Sequence, residues 1–550
     1  MIVVKQMTAD ILIKGAAFFD GRRSRPEIDF IAVRENKIIG MGGEEQAGAF
    51  IGADTVVCEF SKDQMVMPGF HDNHIHLIQS GMLDKYADLT MASSEEEAAE
   101  MVLEFAKKIT DEKWVMGFGW SRFAWKNKKF PTRESLDAVL SDRPVLLFDT
   151  ELHAAWANSC AMEEAGITKD TADPPFGKID RDKDGIPSGY FYETALSLLA
   201  KHAFQLEPHI VKDLIHRYSK RAVKWGITSV SDMTPYLGIN LAFEDIFMEL
   251  DRKGELMLRI NAARDLYEDI EAVVALRRKA EESGTGMYRI PYFKQFLDGV
   301  ISNHTAMMIE DYSDAKGNRG GSLLDLSNLK EAVKTAQENS MSVRLHACGD
   351  GAVRAALDAY EYAAGECAAG TSCRHQIEHI EVISFEDIKR FASLGVIASV
   401  QPEHIVSGMP SFSDNGYPEL LGKERERYTW AFRCLKESGA ILAGGSDSPV
   451  VEGNPFMGIY CGLERVHPDG TPKGGWNPDE KLTVPELLEL YTFNAAFAEG
   501  REAELGTLEP GKLADMIAVD RNLLTVSAEE LLCAEVLLTI VNGKVVYKYS

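Results

Sequence analysis

His74 and His76 stand two residues apart in the segment Met67-Pro68-Gly69-Phe70-His71-Asp72-Asn73-His74-Ile75-His76-Leu77. On an extended strand such a pair leaves the same face, and two co-facing imidazoles at a strand end suit a divalent metal ion. The apolar run Met65-Val66-Met67 leads into them, and Pro68-Gly69 breaks it where they emerge. Taken alone, a His-x-His pair is more often a core or surface feature than a metal site. Residue types of the same chemistry recur further along. Lys294 sits inside the apolar run Tyr292–Leu297, His346 ends Val343-Arg344-Leu345-His346, His379 ends Gln376-Ile377-Glu378-His379, and Asp447 follows Leu442-Ala443-Gly444-Gly445-Ser446. Each has a plain structural reading. A strand-end histidine can be a hydrogen-bonded core residue, Asp447 with Pro449 beyond it can start a helix, and Lys294 can reach solvent along its alkyl stem. Six such residues falling at equivalent places in successive strands favour a shared metal site.

The elements that must position them are legible in the alternation of the chain. Strand-like and helical stretches alternate through most of its length, the pattern of a (β/α)8 barrel of the TIM-like α/β class. The expected barrel strands are Met65–Phe70, Ile227–Asp232, Leu256–Ala262, Tyr292–Leu297, Ser342–His346, Arg374–His379, Val396–Gln401 and Ile441–Ser446. In such a barrel the site lies at the carboxyl ends of the strands, where the six candidates fall. The interval from about 90 to 222 is too long for one barrel helix and reads as an insertion. Short apolar runs separated by turns mark residues 1–66 as part of a small β-structure. The far end, 481–550, holds a final barrel helix and more of the same style, with Asn542-Gly543 between two β-rich runs as a hairpin signal. Neither end has enough strands for a core of its own, so the two are expected to pair into one β-sandwich, leaving 67–480 for the barrel and its insertion.

Bulk properties bound the function. The chain has 550 residues, with 59 basic and 85 acidic side chains giving a formal charge of −26. That balance repels nucleic acid and anionic membrane, and no basic stripe offsets it. No apolar run reaches membrane-spanning length, and the amino terminus lacks the pattern of a secretory signal. The eight cysteines include no Cys-x-x-Cys pair and read as reduced thiols of a cytoplasmic protein.

Several motifs together resemble the amidohydrolase superfamily, in the branch that includes N-substituted formamide deformylase. They are Pro68-Gly69-Phe70-x-Asp72-x-His74-x-His76, Phe118-Gly119-Trp120, His153-x-x-Trp156-x-Asn158-Ser159, Lys294-x-Phe296-x-Asp298-Gly299, His346-Ala347-x-Gly349-Asp350, Ile377-Glu378-His379, Ser399-Val400-Gln401-Pro402, Gly445-Ser446-Asp447-x-Pro449-Val450 and the tail Gly506–Asp515. The resemblance implies that His74, His76 and Asp447 bind one metal and that His346 and His379 bind a second. Lys294, carboxylated by CO2, would bridge them. Zinc is the expected ion, with manganese or iron as alternatives. With one ion, Lys294 could stay unmodified. Asp447 would be the general base. The insertion would supply the substrate pocket through His153, Trp120 and Trp156, although ordinary packing explains the tryptophans equally well. His375, four residues before His379, is the substitute ligand that strand alternation offers, and Cys348 reads as an inert buried thiol. Two positions depart from the relatives, which tend to carry Arg where this chain has His304 and Gly351.

The implied activity is hydrolysis of a non-peptide C–N bond in a small molecule, foremost a linear amide or N-substituted formamide. A cyclic amide hydrolase, a deaminase and a non-catalytic scaffold are the alternatives, and a homodimer is the expected assembly.

Overall fold

A computed structural model describes residues 8–110, 112–234, 241–367, 373–406, 412 and 416–549. Its centre is an eight-stranded parallel sheet whose strands follow one another in chain order: Phe70–Ile75, Ile227–Asp232, Arg259–Asp265, Tyr288–Phe296, Ser342–Ala347, Gln376–His379, Ile397–Val400 and Leu442–Gly444. First and eighth strands meet through a parallel bridge between Ile75 and Ser448, which closes the sheet into a barrel.

The chain ends build the second body. Ile11–Lys14, Phe30–Arg34, Lys37–Gly42 and Val56–Glu59 form a four-stranded sheet. Opposite it, Ala17–Phe18 and Met65–Pro68 from the amino end join Met516–Val519, Val536–Val541 and Lys544–Lys548 from the carboxyl end. Met65–Pro68 pairs antiparallel with Met516–Val519, so neither end is complete without the other. Ile13, Ile31 and Val33 of one sheet and Val66, Met516, Leu538 and Ile540 of the other share one apolar cluster, as in a sandwich. Asn542-Gly543 makes the hairpin turn, with both residues at positive φ.

This pairing corrects the expected first barrel strand. Met65–Pro68 belongs to the sandwich, and the barrel strand starts only at Phe70. Pro68 lacks an amide donor and sits at the end of one strand, leaving Gly69 as the corner between two sheets. The third strand also begins later than expected, at Arg259, because Gly254 ends the preceding helix in a left-handed cap and residues 255–258 carry the chain back to the sheet.

Between the first and second barrel strands lies a further six-stranded sheet, with strands Gly177–Arg181, Pro187–Glu193, Ala154–Ala157, Val145–Asp149, Val115–Trp120 and Ala87–Asp88 in that spatial order. The helix Pro208–Lys224 then returns to the barrel. Val211, Leu214, Ile215, Tyr218 and Ala222 recur at helical spacing on its buried face. The interval from about 90 to 222 thus holds five of this sheet's six strands, Ala87–Asp88 lying just before it, and most of the helix Pro208–Lys224. No helix of the described residues is long and apolar enough to cross a membrane.

Arg259 couples barrel to sandwich. Its guanidinium donates to both carboxylate oxygens of Asp515, at 2.6 and 3.0 Å, and to Asn542 Oδ1 at 3.0 Å. Both charges are buried, so removing one strands the other. Arg259→Leu is expected to lower unfolding stability by about 3–5 kcal/mol, read from denaturant midpoint and slope. An unchanged midpoint would show that the pair does not hold the two bodies together.

Candidate metal centre

The barrel interior is polar beneath the carboxyl rim. Arg344, fully buried, donates to Glu378 Oε1 at 2.6 Å and to Glu499 Oε1 at 3.2 Å, and also bonds the Asn73 carbonyl. Asn73 donates to Gln376 and Ser399, each at 3.0 Å. Above this layer the candidate ligands converge. Nε2 of His74 and Nε2 of His76 lie 3.3 and 3.2 Å from Asp447 Oδ1, and His379 Nδ1 lies 4.0 Å from Asp447 Oδ2. The His379 ring is 4.9 Å from that of His74 and 4.5 Å from that of His346, centre to centre. Ligand atoms of His74, His379 and Asp447 all fall within 4.8 Å of one another.

Local backbone irregularity makes this convergence possible. Asp72 pairs with Val230 and Ile75 with Asp232, so Asn73 and His74 together oppose Ser231 alone. That β-bulge lets both Asn73 and His74 turn into the barrel, and His76 follows by alternation. In the sixth strand Gln376 and Glu378 face inward by alternation, and regular backbone would send His379 outward. His379 instead has φ of 72°, a left-handed conformation that costs free energy in a β-strand residue and concentrates at functional sites. Asp447 is left-handed too, at φ 62°. His375, on regular backbone, points the other way. It stacks on Tyr360 at 4.6 Å, accepts from the Val343 amide at 3.0 Å and bonds Gln337. The expectation that His375 shares a direction with His379 is therefore corrected.

Carboxylates set the imidazole tautomers. Glu378 Oε2 lies 2.6 Å from His74 Nδ1, and Asp298 Oδ1 lies 3.0 Å from His346 Nδ1. An ionised carboxylate only accepts, so each Nδ1 donates and each Nε2 is left as the ligand atom, that of His346 lying 3.6 Å from Cys348 Sγ. Asp298 is itself held by the amides of Met307, Cys348 and Gly349. Burial, reinforced by neighbouring cationic groups, holds His346 and His379 well below the ordinary imidazole range, and burial lowers His76 as well. They are neutral, as ligands must be. Burial likewise pushes the Lys294 ammonium down to about 8, against the pull of Glu378 and Asp447. The Lys294 amine is 1% exposed and has no hydrogen-bond partner among the described residues.

The donor set fits a divalent cation. His74 Nε2 faces Asp447 Oδ1 across 3.3 Å and His76 Nε2 faces the same oxygen across 3.2 Å, an arrangement of donors that a divalent cation between them would satisfy. An unpaired, fully buried lysine amine beside that cluster is a second unmet demand.

A cleft of about 510 Å³ opens above the centre, bounded by Glu151, His153, His346, Cys348, His379, Glu381, His404, Tyr417, Trp430 and Asp447 among others. His153 arrives from the inserted sheet. Its ring is 5.2 Å from that of His346, and its Nδ1 lies 2.7 Å from Glu193. Although burial opposes the charge, Glu193, Asp149 and Glu151 raise His153 to about 9, so it stands as a cation in the cleft wall. Trp120 borders an adjoining cleft of about 420 Å³ beside Glu151 and Arg122. Trp156 bounds neither. It is fully buried in the inserted sheet's aromatic cluster, 6.2 Å from Trp120, and donates to the Thr132 carbonyl. His304 faces Asp314 on a loop, and Gly351 lies where an added Cβ would meet the Met307 carbonyl at 2.8 Å. Asp298 and Glu378 lay inside recognised motifs without an assigned role. Glu151, Glu193, Glu381, Tyr417 and Trp430 carried no signal in the sequence, since only folding brings their segments to the rim.

A profile of the amidohydrolase family matches residues 62–547, and the chain belongs to that family. It is 29% identical over 551 residues to the protein LONG AFTER FAR-RED 3 of Arabidopsis thaliana, covering 98% of this chain and 92% of that one. It is also 25% identical over 532 residues to the N-substituted formamide deformylase of Arthrobacter pascens, covering 94% of each. A crystal structure of an uncharacterized metal-dependent hydrolase from Pyrococcus horikoshii superposes with a TM-score of 0.75 at 25% identity, over 94% of this chain and 99% of that one. Family, barrel and ligand cluster together define a metal-dependent hydrolase.

Because Asp298 fixes the His346 tautomer, Asp298→Asn is expected to weaken metal binding by about 10–100-fold while the protein stays folded. Chelator competition with atomic-emission readout measures it. Wild-type affinity would dismiss the tautomer argument.

Proposed function

We infer that this chain hydrolyses a non-peptide C–N bond, foremost that of a linear amide or N-substituted formamide, at a centre of two divalent ions. The observation that carries the reading is the unpartnered, fully buried amine of Lys294 beside a His–Asp cluster whose ligand atoms face one another. The formamide assignment is supported by the near full-length similarity to the Arthrobacter pascens deformylase.

His74, His76 and Asp447 would hold one ion, His346 and His379 the other, and Lys294 would join them. A buried amine with its pKa near 8 is neutral in a useful fraction of molecules near that pH. The ammonium first gives up one proton; the neutral Nζ then adds to the carbon of CO2 and releases a second, leaving a carbamate that would be an anionic oxygen donor. A divalent ion, when bound, polarises the substrate carbonyl and brings the hydrolytic water toward neutral acidity. Zinc suits this mixed imidazole and carboxylate set, and manganese or iron can substitute.

The protein's own groups do the rest. Asp447 faces His74 and His76 with Oδ1, while its Oδ2 lies 4.0 Å from His379 Nδ1 and 3.9 Å from His404 Nε2 on the cleft side. From there it can take a proton from the attacking water and return it to the leaving nitrogen. His153, cationic, held by Glu193 and lining the cleft, would stabilise a developing oxyanion. Burial under the inserted sheet excludes bulk water, which strengthens both effects.

Asp447→Asn is expected to lower kcat by about 10²–10⁴-fold on the best substrate, with wild-type turnover removing Asp447 from the chemistry. Lys294→Ala is expected to bring metal content down alongside activity. A screen of N-substituted formamides against cyclic ureides and aminated bases tests the substrate class. Turnover confined to the latter two would replace the linear-amide reading.

A further inference from the structure

Several buried carboxylates of the chain are neutralised by a basic side chain. Glu378 has Arg344 and His74, Glu193 has His153, and Asp515 has Arg259. Glu151 and Glu381 are different. Both line the cleft over the metal centre, and Glu151 also borders the adjoining cleft. Glu381 accepts only the Tyr417 hydroxyl, at 2.6 Å, and Glu151 accepts from the Ser302 hydroxyl. Among the described residues neither has an ion-pair partner. Apart from Lys5, the residues outside the described set include no Lys, Arg or His that could serve. Arg122, which borders the adjoining cleft together with Glu151, donates instead to the carbonyls of Lys128 and Ser302.

Two buried carboxylates without an ion pair are costly, and the cationic His153 of the same wall is already held by Glu193 at 2.7 Å. A ligand that brings positive charge would relieve both. The same wall carries Tyr417 and Trp430, with ring centres 5.0 Å apart, and aromatic faces of this kind attract organic cations. An independent observation points to a polar ligand in the same space. His404 lines the cleft with its side chain 9% exposed, and its Nε2 has no hydrogen-bond partner.

We propose that the cleft selects substrates bearing an ammonium group, held between Glu151 and Glu381 against Tyr417 and Trp430. This rests on the amide-hydrolase reading for the identity of the scissile bond, but the cation site itself can be tested without turnover. The metal-loaded full-length protein is titrated calorimetrically at pH 7 with n-butylammonium and 1-butanol. Ammonium is expected to bind at least about tenfold more tightly than the alcohol. Glu151→Gln and Glu381→Gln, checked for unchanged metal content and secondary structure, are each expected to erase most of that preference. Equal binding of ammonium and alcohol, or a preference untouched in both variants, would overturn the proposal. Relative kcat/KM for N-(4-aminobutyl)formamide over N-butylformamide separates the two readings. Hydrolysis of both without charge preference sinks the ammonium site, whereas tight ammonium binding with no formamide turned over sinks the formamide assignment alone.

Discussion

The seam where the barrel closes governs everything built above it. The Asp447 amide donates to the His74 carbonyl at 2.7 Å, and the His76 amide donates to the Ser448 carbonyl at 2.9 Å. The same contacts that join first and eighth strands therefore bring the Asp447 carboxylate to both imidazoles. Gly445 permits the approach, because a Cβ there would lie 2.5 Å from the His74 amide nitrogen. Closure and ligand geometry are one event, separated by some 370 residues of chain only in the sequence. A barrel that failed to close would lose the ligand set before it lost its strands.

Beneath the seam, a buried ionic layer does what an apolar core could not. Arg344 ties Glu378 to Glu499, and Glu378 in turn grips His74. Buried charges seldom add stability over well-packed apolar groups, but here they dictate which imidazole nitrogen carries the proton. An apolar plug would leave His74 free to rotate and change tautomer. Asp298 performs the same task for His346 from the loop after the fourth strand. The irregular backbone at His379 and Asp447 belongs to this economy: local strain is tolerated where the surrounding bonds over-determine the position.

The inserted sheet adds the roof. His153 and Glu151 come from the turn between two of its strands, and Glu193 from the end of a third. Their charges are interlocked, with Glu193 holding His153 and Asp149 raised to about 8 first by burial and then by Glu151. Trp120, Trp125, Trp156 and Tyr190 pack as one aromatic cluster that fixes the sheet, with Trp120 and Tyr190 also bordering the adjoining cleft.

Much of this was legible before folding was considered. Alternating runs named the barrel and the two-ended sandwich, and strand-end residue types named His74, His76, Lys294, His346, His379 and Asp447, because period-two alternation and side-chain chemistry are local properties. Local rules failed where the backbone leaves its regular path. Alternation put His375 beside His379, and only the left-handed turn at position 379 undoes that. The start of the barrel at Phe70 rather than Met65 depended on a strand partner 450 residues away, Met516–Val519. The unpaired state of Glu151 and Glu381 is likewise a statement about neighbours, and neighbours across a barrel rim are decided by closure, not by composition. The sequence by itself determined which groups could bind metal; tertiary structure alone decided which of them meet, because long-range strand pairing and a few strained dihedrals set the directions of side chains that local pattern leaves open.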